Sequence, residues 1–485
     1  MHGLLPALLS LIGCDVAPVE LVCANGEPLC ETRPLARGID IERILAYQGV
    51  ELELMANGVA TEGGLPLVAG RDALIRLMIE VDDDFVMRPV VGRLFLMEGG
   101  TTIAGLESRL QVPITTIERD LTTSINFEVP AELLRPEMSM LFWVLEDTEE
   151  EGTERRGVVD WPGNETGAPI TMITGLEPLR IHLVPVQYDA DGSGRLPDTS
   201  DEQVRIYRDL MYGTYPVPSV EIEVGDPLPW SGQISASGSG WSEVLSRVAD
   251  ERQARGLGGD VYMYGVFEPS ESLGQFCGAG CVLGLSNFAS SPNDSHNRSS
   301  VGLGYAGEES GWTMVHEIGH AHGRNHADCG GATGIDPDFP YDGASIGVMG
   351  YDPVSRVLKE PDRHTDFMSY CSPNWLSDYT FGALLDRVEA LSGVPGSQAR
   401  QATTTYHSAY LDLHGRIRWS DDLVLTAEPG GSLVAVEALG DGGSALGTIT
   451  GFYTPFGDLP GGRLLIPADG ELRRVRFEGS LSDLR

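Results

Sequence analysis

Gly311-Trp312-Thr313-Met314-Val315-His316-Glu317-Ile318-Gly319-His320-Ala321-His322-Gly323-Arg324-Asn325-His326 carries the spacing H-E-x-x-H-x-x-G-x-x-H. In a helix, residues four apart lie one turn apart on the same face. His316 and His320 therefore direct two imidazoles at one point, with Glu317 beside them. Gly323 is expected to end the helix, because a residue without Cβ can take the left-handed conformation that turns the chain back. His326 then reaches the same point from the far side. Three neutral nitrogens with a fourth position open to water form the donor set of one catalytic zinc ion, which lowers the pKa of its water towards ~7. Glu317, next to the metal but not on it, is the candidate general base. The blander reading is a helix with surface histidines, which Gly323 and His326 at these positions disfavour.

Downstream lies Asp366-Phe367-Met368-Ser369-Tyr370. With the histidine motif it resembles the metzincin clan of zinc endopeptidases, in which a methionine turn lies beneath the three histidines. The resemblance implies that Met368 is the hydrophobic floor of the site. The Met-x-Tyr spacing resembles astacins and serralysins and implies that Tyr370 is a second catalytic residue, whose phenol binds zinc or swings away to stabilise the oxyanion. Ordinary core packing is the competing reading for both. Gly330-Gly331 and the runs 345–352 and 370–380 look similar to secreted or lipid-anchored bacterial metalloproteinases related to mucin-cleaving enzymes. This similarity covers about Leu179 to Gly393. It implies an extracytoplasmic endopeptidase that hydrolyses peptide bonds of proteins or glycoproteins. The alternative is a surface-anchored binding or adhesin lipoprotein that keeps the fold without turnover.

The start of the chain bears on where it works. Leu4 to Ile12 is a short apolar run, and Leu11-Ile12-Gly13-Cys14 resembles a bacterial lipobox, making Cys14 the candidate lipidation site. The run falls short of the ~20 apolar residues that span a bilayer, so membrane association is expected only through the lipid anchor. A buried N-terminal helix is the alternative. Six cysteines remain. Their neighbours suggest the candidate disulfides Cys23 with Cys30, Cys277 with Cys281 and Cys329 with Cys371, among fifteen possible pairings. A cysteine-built second metal site competes less well, because Cys277-Gly-Ala-Gly-Cys281 has no matching second pair.

With 71 acidic residues against 33 basic ones, a formal charge of -38 and a pI near 4.5, nucleic acid is excluded as a partner by repulsion. The expected fold class is multidomain: an α+β metzincin-like catalytic domain flanked by β-sandwich-like domains. Residues 1–14 are assigned to the signal peptide, 15–38 to a tether and 39–175 to an N-terminal β-sandwich-like domain. Residues 176–398 are assigned to the peptidase domain and 399–485 to a C-terminal β-rich domain. Ser200 and Gln203 form a candidate capping box. The clan resemblance places an antiparallel, substrate-holding edge strand at Gly302-Leu303-Gly304, directly before the motif helix. Asp189, Asp191 and Ser193 space oxygens like the first half of a calcium loop, without the closing Glu; a solvent-facing Asx-rich turn is the alternative.

Overall fold

The computed structural model describes residues 33–147, 157–392, 403–440, 443–468 and 472–484. Cys14, residues 15–32 of the tether and the expected Cys23–Cys30 pairing lie outside the described residues; the rest of the expected tether is packed, with Leu35 bridging Leu145 and the buried Ala36 donating to Val144 O at 2.8 Å. The chain is mostly β, with 40% of residues in strands and 17% in helices. It divides into two compact units, Met1–Tyr47 with Leu52–Thr174, and Gln48–Glu51 with Gly175–Arg485. The C-terminal strands, expected as a separate domain, thus share a unit with the motif helix. Tyr410 of the C-terminal strands and Phe456 of the loop between two of them pack into the same buried cluster as Val186, Leu245 and Phe267.

In the first unit two antiparallel sheets face one another. Gly49–Ala56, Ile39–Tyr47, Ala73–Val81 and Ile125–Val129 follow in order in one sheet; Asp160–Trp161, Met138–Glu146, Arg88–Glu98 and Thr101–Val112 do so in the other. Gly92 lets the sheets approach, since a Cβ there would run into Ile125 of the opposite sheet. Two facing sheets of this kind make a β-sandwich.

The second unit is built on a sheet ordered Val220–Val224, Leu179–Tyr188, Val261–Phe267, Ser299–Leu303, Gly284–Ser286. The first four strands are parallel and the last is antiparallel. Parallel neighbours need long crossovers, which here include helices α1 (Asp201–Thr214) and α2 (Trp241–Ala254). Leu179–Tyr188 is buried nearly throughout, as a central parallel strand covered on both faces must be. A short helix, α3 (Leu273–Phe276), precedes the motif helix α4 (Glu308–Ala321), and α5 (Asp378–Ser392) follows the methionine turn.

The structure corrects the placement of the edge strand. Ser299–Leu303 is an interior parallel strand, and the antiparallel edge is Gly284–Ser286, earlier in the chain. The glycines at 302 and 304 serve interior packing: a Cβ on Gly302 would strike the Tyr264 hydroxyl, and one on Gly304 would lie 2.5 Å from Pro197 Cβ. The capping box is also altered. Ser200 Oγ accepts from the Gln203 N–H at 3.4 Å, but the Gln203 amide reaches away from Ser200. Its Nε2 donates to Gly307 O at 3.1 Å and its Oε1 accepts from Gly307 N at 2.7 Å. Gln203 thereby ties α1 to the residue before α4. Tyr207 with Ser310 (2.7 Å) and Tyr215 with Val315 O (2.8 Å) repeat that link, so α1 holds α4 along its length.

The C-terminal residues form an eight-stranded antiparallel sheet. Its hairpin of Ala445–Pro455 and Gly462–Pro467 carries a loop from 456 to 461.

Candidate metal centre

Helix α4 ends as its sequence requires. Gly323 has φ of 81°, and a Cβ there would lie 2.7 Å from Ala289 O. The chain turns back and brings His326 to His316 and His320. Their Nε2 atoms form a near-equilateral triangle, with sides of 3.2 Å (His316 to His326), 3.2 Å (His316 to His320) and 3.1 Å (His320 to His326). Each ring is oriented through its other nitrogen. His316 Nδ1 faces Phe367 O at 2.7 Å, His320 Nδ1 faces Arg324 O at 2.7 Å, and His326 Nδ1 faces Thr333 O. A carbonyl can only accept, so each Nδ1 carries the proton and each Nε2 turns a lone pair inward. Three buried lone pairs aimed at one another repel unless a cation sits between them. A tetrahedral ion with bonds of ~2.05 Å needs nitrogens ~3.3 Å apart, close to what is seen.

The fourth corner is filled by a residue the sequence did not point to. Asp458, in the hairpin loop, places Oδ1 3.4 Å from His316 Nε2 and 3.2 Å from His326 Nε2, with Oδ2 3.5 Å from His320 Nε2. His316, His320, His326 and Asp458 together form the group able to hold a metal ion among the described residues. The Asp458 Oδ2 and Glu317 Oε2 atoms are both buried without a hydrogen-bond partner among the described residues. Neither carboxylate pairs with a lysine or arginine among the described residues, and Asp458 faces the three imidazoles and the Tyr370 phenol, which fits a site that takes a divalent cation.

Glu317 is nearly inaccessible, and its carboxylate lies over Gly284 of the edge strand, where any Cβ would collide with it. Burial foremost, and then the neighbouring Asp458 charge, push the Glu317 carboxyl well above the ordinary carboxylate range.

The methionine turn lies under the triangle. Met368 is buried, and a Cβ on Gly319 of α4 would run into its sulfur, so the glycine lets helix and turn meet. Asp366 fixes the turn by accepting from Met368 N at 2.9 Å and Ser377 N at 3.0 Å. Ala327 N donates to Met368 O at 3.0 Å and Tyr370 N to Cys329 O at 3.2 Å, beside the Cys329–Cys371 disulfide. This disulfide and Cys277–Cys281 both form as expected. Tyr370 is half-exposed, and its Oη donates to Asp458 Oδ1 at 2.7 Å. A cleft of about 700 Å³ opens at the centre, lined by Gly284, Trp312, His316, Glu317, Tyr370 and Asp458 among others.

The candidate calcium residues Asp189, Asp191 and Ser193 have another geometry. Asp191 accepts from Ser193 N at 3.1 Å and pairs with the Arg195 guanidinium; Ser193 and Arg195 together hold its carboxyl down at about 2. The Arg195 guanidinium already supplies a positive charge to this loop, and the Asx-turn reading describes it. His364 Nδ1 faces Glu360 O at 3.1 Å, outside the histidine triangle.

His322 lies on the other side of α4. It stacks on Tyr262 with ring centroids 4.3 Å apart, and its Nδ1 faces Ile318 O at 2.9 Å. Burial pulls its imidazole down to about 3, against ~6.5 in an unfolded chain. The unfolded state binds more protons between those values. The contribution of His322 is therefore complete above pH ~6.5 and is lost as pH falls towards 3, by up to ~1.4 kcal/mol per pH unit for one proton. His322→Gln is expected to flatten the acid limb of the Tm profile between pH ~6.5 and ~4.5. An unchanged limb would assign the acid lability to other groups.

No protein-family model matches the chain, and no curated protein matches it.

Proposed function

We propose that the chain is an extracytoplasmic zinc-dependent endopeptidase of the metzincin kind, acting on proteins or glycoproteins. The observation that carries this reading is the triangle of inward-facing Nε2 atoms with the buried Glu317 carboxylate beside it, at the wall of an open cleft. Zinc, when bound by His316, His320 and His326, supplies a Lewis acid and an acidified water. Glu317 takes the proton from the attacking water and passes it to the departing amine. The antiparallel edge Gly284–Ser286 borders the cleft where an extended peptide would align by main-chain hydrogen bonds. Two disulfides support an oxidising compartment, and no helix of the described residues is long and apolar enough to cross a membrane. Anchoring through a lipid on Cys14 belongs to this proposal.

Tyr370 supplies the oxyanion donor. Asp458 Oδ1 is an anionic oxygen at the fourth corner and stands in for the oxygen that gains charge during attack; the phenol already donates to it at 2.7 Å. In an Asp458→Ala background, where the phenol holds no carboxylate, Tyr370→Phe is expected to lower turnover by roughly ten- to a thousandfold at unchanged Tm and little changed KM. Cleavage at the rate of Asp458→Ala alone would make Tyr370 a packing residue.

A second reading, a binding lipoprotein without turnover, is favoured by Asp458 filling the place where water would bind. The zinc-loaded chain and its Asp458→Ala variant, each incubated with unfolded proteins and glycoproteins with and without a chelator, separate the two. Chelator-sensitive cleavage supports the peptidase. Intact substrates with both proteins favour the binding reading.

A further inference from the structure

We propose that the C-terminal hairpin closes this centre from within the chain: Asp458 is a displaceable fourth metal ligand, and residues 454–460 occupy the groove a substrate would use. The inference rests on reading the three histidines as a metal centre.

The carboxylate is placed as a ligand would be. Oδ1 lies 3.2 Å from His326 Nε2 and 3.4 Å from His316 Nε2, and Oδ2 lies 3.5 Å from His320 Nε2, so the carboxylate caps the open face of the nitrogen triangle. Oδ2 is buried and has no hydrogen-bond partner among the described residues. A carboxylate in that position is costly unless it faces a cation. The loop is also shaped for the approach. A Cβ at Gly457 would lie 2.5 Å from His320 Nε2, so the residue before the acid has to be glycine for the backbone to come this close. Gly461, with φ of 115°, returns the chain to the sheet.

The loop docks in the manner of a substrate. Phe456 makes an antiparallel bridge with Asn287, the residue that continues the edge strand Gly284–Ser286. Its ring stacks on Tyr410 with centroids 6.0 Å apart, and Asn287 Nδ2 donates to the Tyr410 hydroxyl at 3.2 Å. Two cavities, of about 700 and 740 Å³, flank the loop, and Asp458 belongs to the wall of both. Without the hairpin tip they would join across the histidines. Tyr370 adds to the closure by holding Asp458 Oδ1. An extended peptide crossing the centre must first displace this carboxylate, so the closed chain is expected to work slowly until the hairpin tip moves.

The test uses the full chain loaded with Co²⁺, whose visible absorption reports the ligand set, titrated with acetohydroxamate as a small metal-binding probe. Asp458→Ala is expected to bind the probe at least tenfold more tightly than the parent, and to change the Co²⁺ spectrum before any probe is added. Asp458→Asn keeps the side-chain shape and is expected to fall between them; it carries the test if the alanine variant fails to fold. Zinc-loaded Asp458→Ala should also cleave unfolded casein at least tenfold faster than the parent. Equal probe affinity and identical Co²⁺ spectra in the parent and the folded variants would overturn the closure, even if casein is cleaved. Tighter probe binding by the variants with no cleavage of casein would leave the closure standing and count against the peptidase reading alone.

Discussion

Glu317→Gln is expected to lower peptide cleavage by roughly three orders of magnitude while the chain keeps its metal. Glutamine has nearly the volume of glutamate, so it still packs over Gly284 and leaves the three histidines in place. Its amide cannot take a proton from water. The buried site offers no substitute: the other carboxylate at the centre, Asp458, sits at the fourth corner of the metal-ligand group. Comparing the Glu317→Gln change in an Asp458→Ala background, where the groove is open, gives the effect its full range. Undiminished cleavage at equal metal content would place the chemistry on another group.

The second large effect concerns the histidines. Changing His316, His320 and His326 together to alanine is expected to abolish stoichiometric zinc binding and the stabilisation that goes with it. A ligand present at a thousand times its Kd stabilises the folded state by ~4 kcal/mol, so a chelator should lower the parent's Tm by several degrees. The triple variant should melt at the same temperature with and without chelator. A chelator effect of equal size in both would locate the stabilising metal elsewhere in the chain.

The histidine cluster able to hold a metal ion was largely legible in the sequence because its parts are local. His316, Glu317 and His320 share one helix, and Gly323 and His326 follow within one turn of chain. The methionine turn was legible through the resemblance of Asp366 to Tyr370 to a metzincin turn, and the Cys329–Cys371 clamp through the sequence neighbours of the two cysteines. Asp458 was not. It lies 132 residues beyond His326, it is one of 71 acidic residues, and only the folding of the C-terminal hairpin onto the edge strand brings it to the histidines. In hindsight Phe456-Gly457-Asp458 carries one faint signal, a glycine that clears the way for an acid, but turns with that composition are common. The edge strand was missed for a different reason. Gly284–Ser286 is three residues long, too short to show a period-two pattern, and the glycines at 302 and 304 read equally well as close-approach sites. Gln203 shows how tertiary contacts override a local rule: its amide gains two hydrogen bonds to Gly307 by leaving the capping box. The C-terminal strands read correctly as β, yet Tyr410 and the hairpin-loop residue Phe456 join the core of the second unit. Alternation alone does not disclose which face packs against which neighbour.

The most direct test of the central claim is X-ray absorption at the zinc edge on the zinc-loaded parent, paired with metal analysis. The account predicts one equivalent of zinc with only nitrogen and oxygen neighbours at ~2.0–2.1 Å, imidazole scattering from three rings and a carboxylate oxygen that is lost in Asp458→Ala. Sulfur neighbours at ~2.3 Å, or no stoichiometric zinc at all, would contradict it.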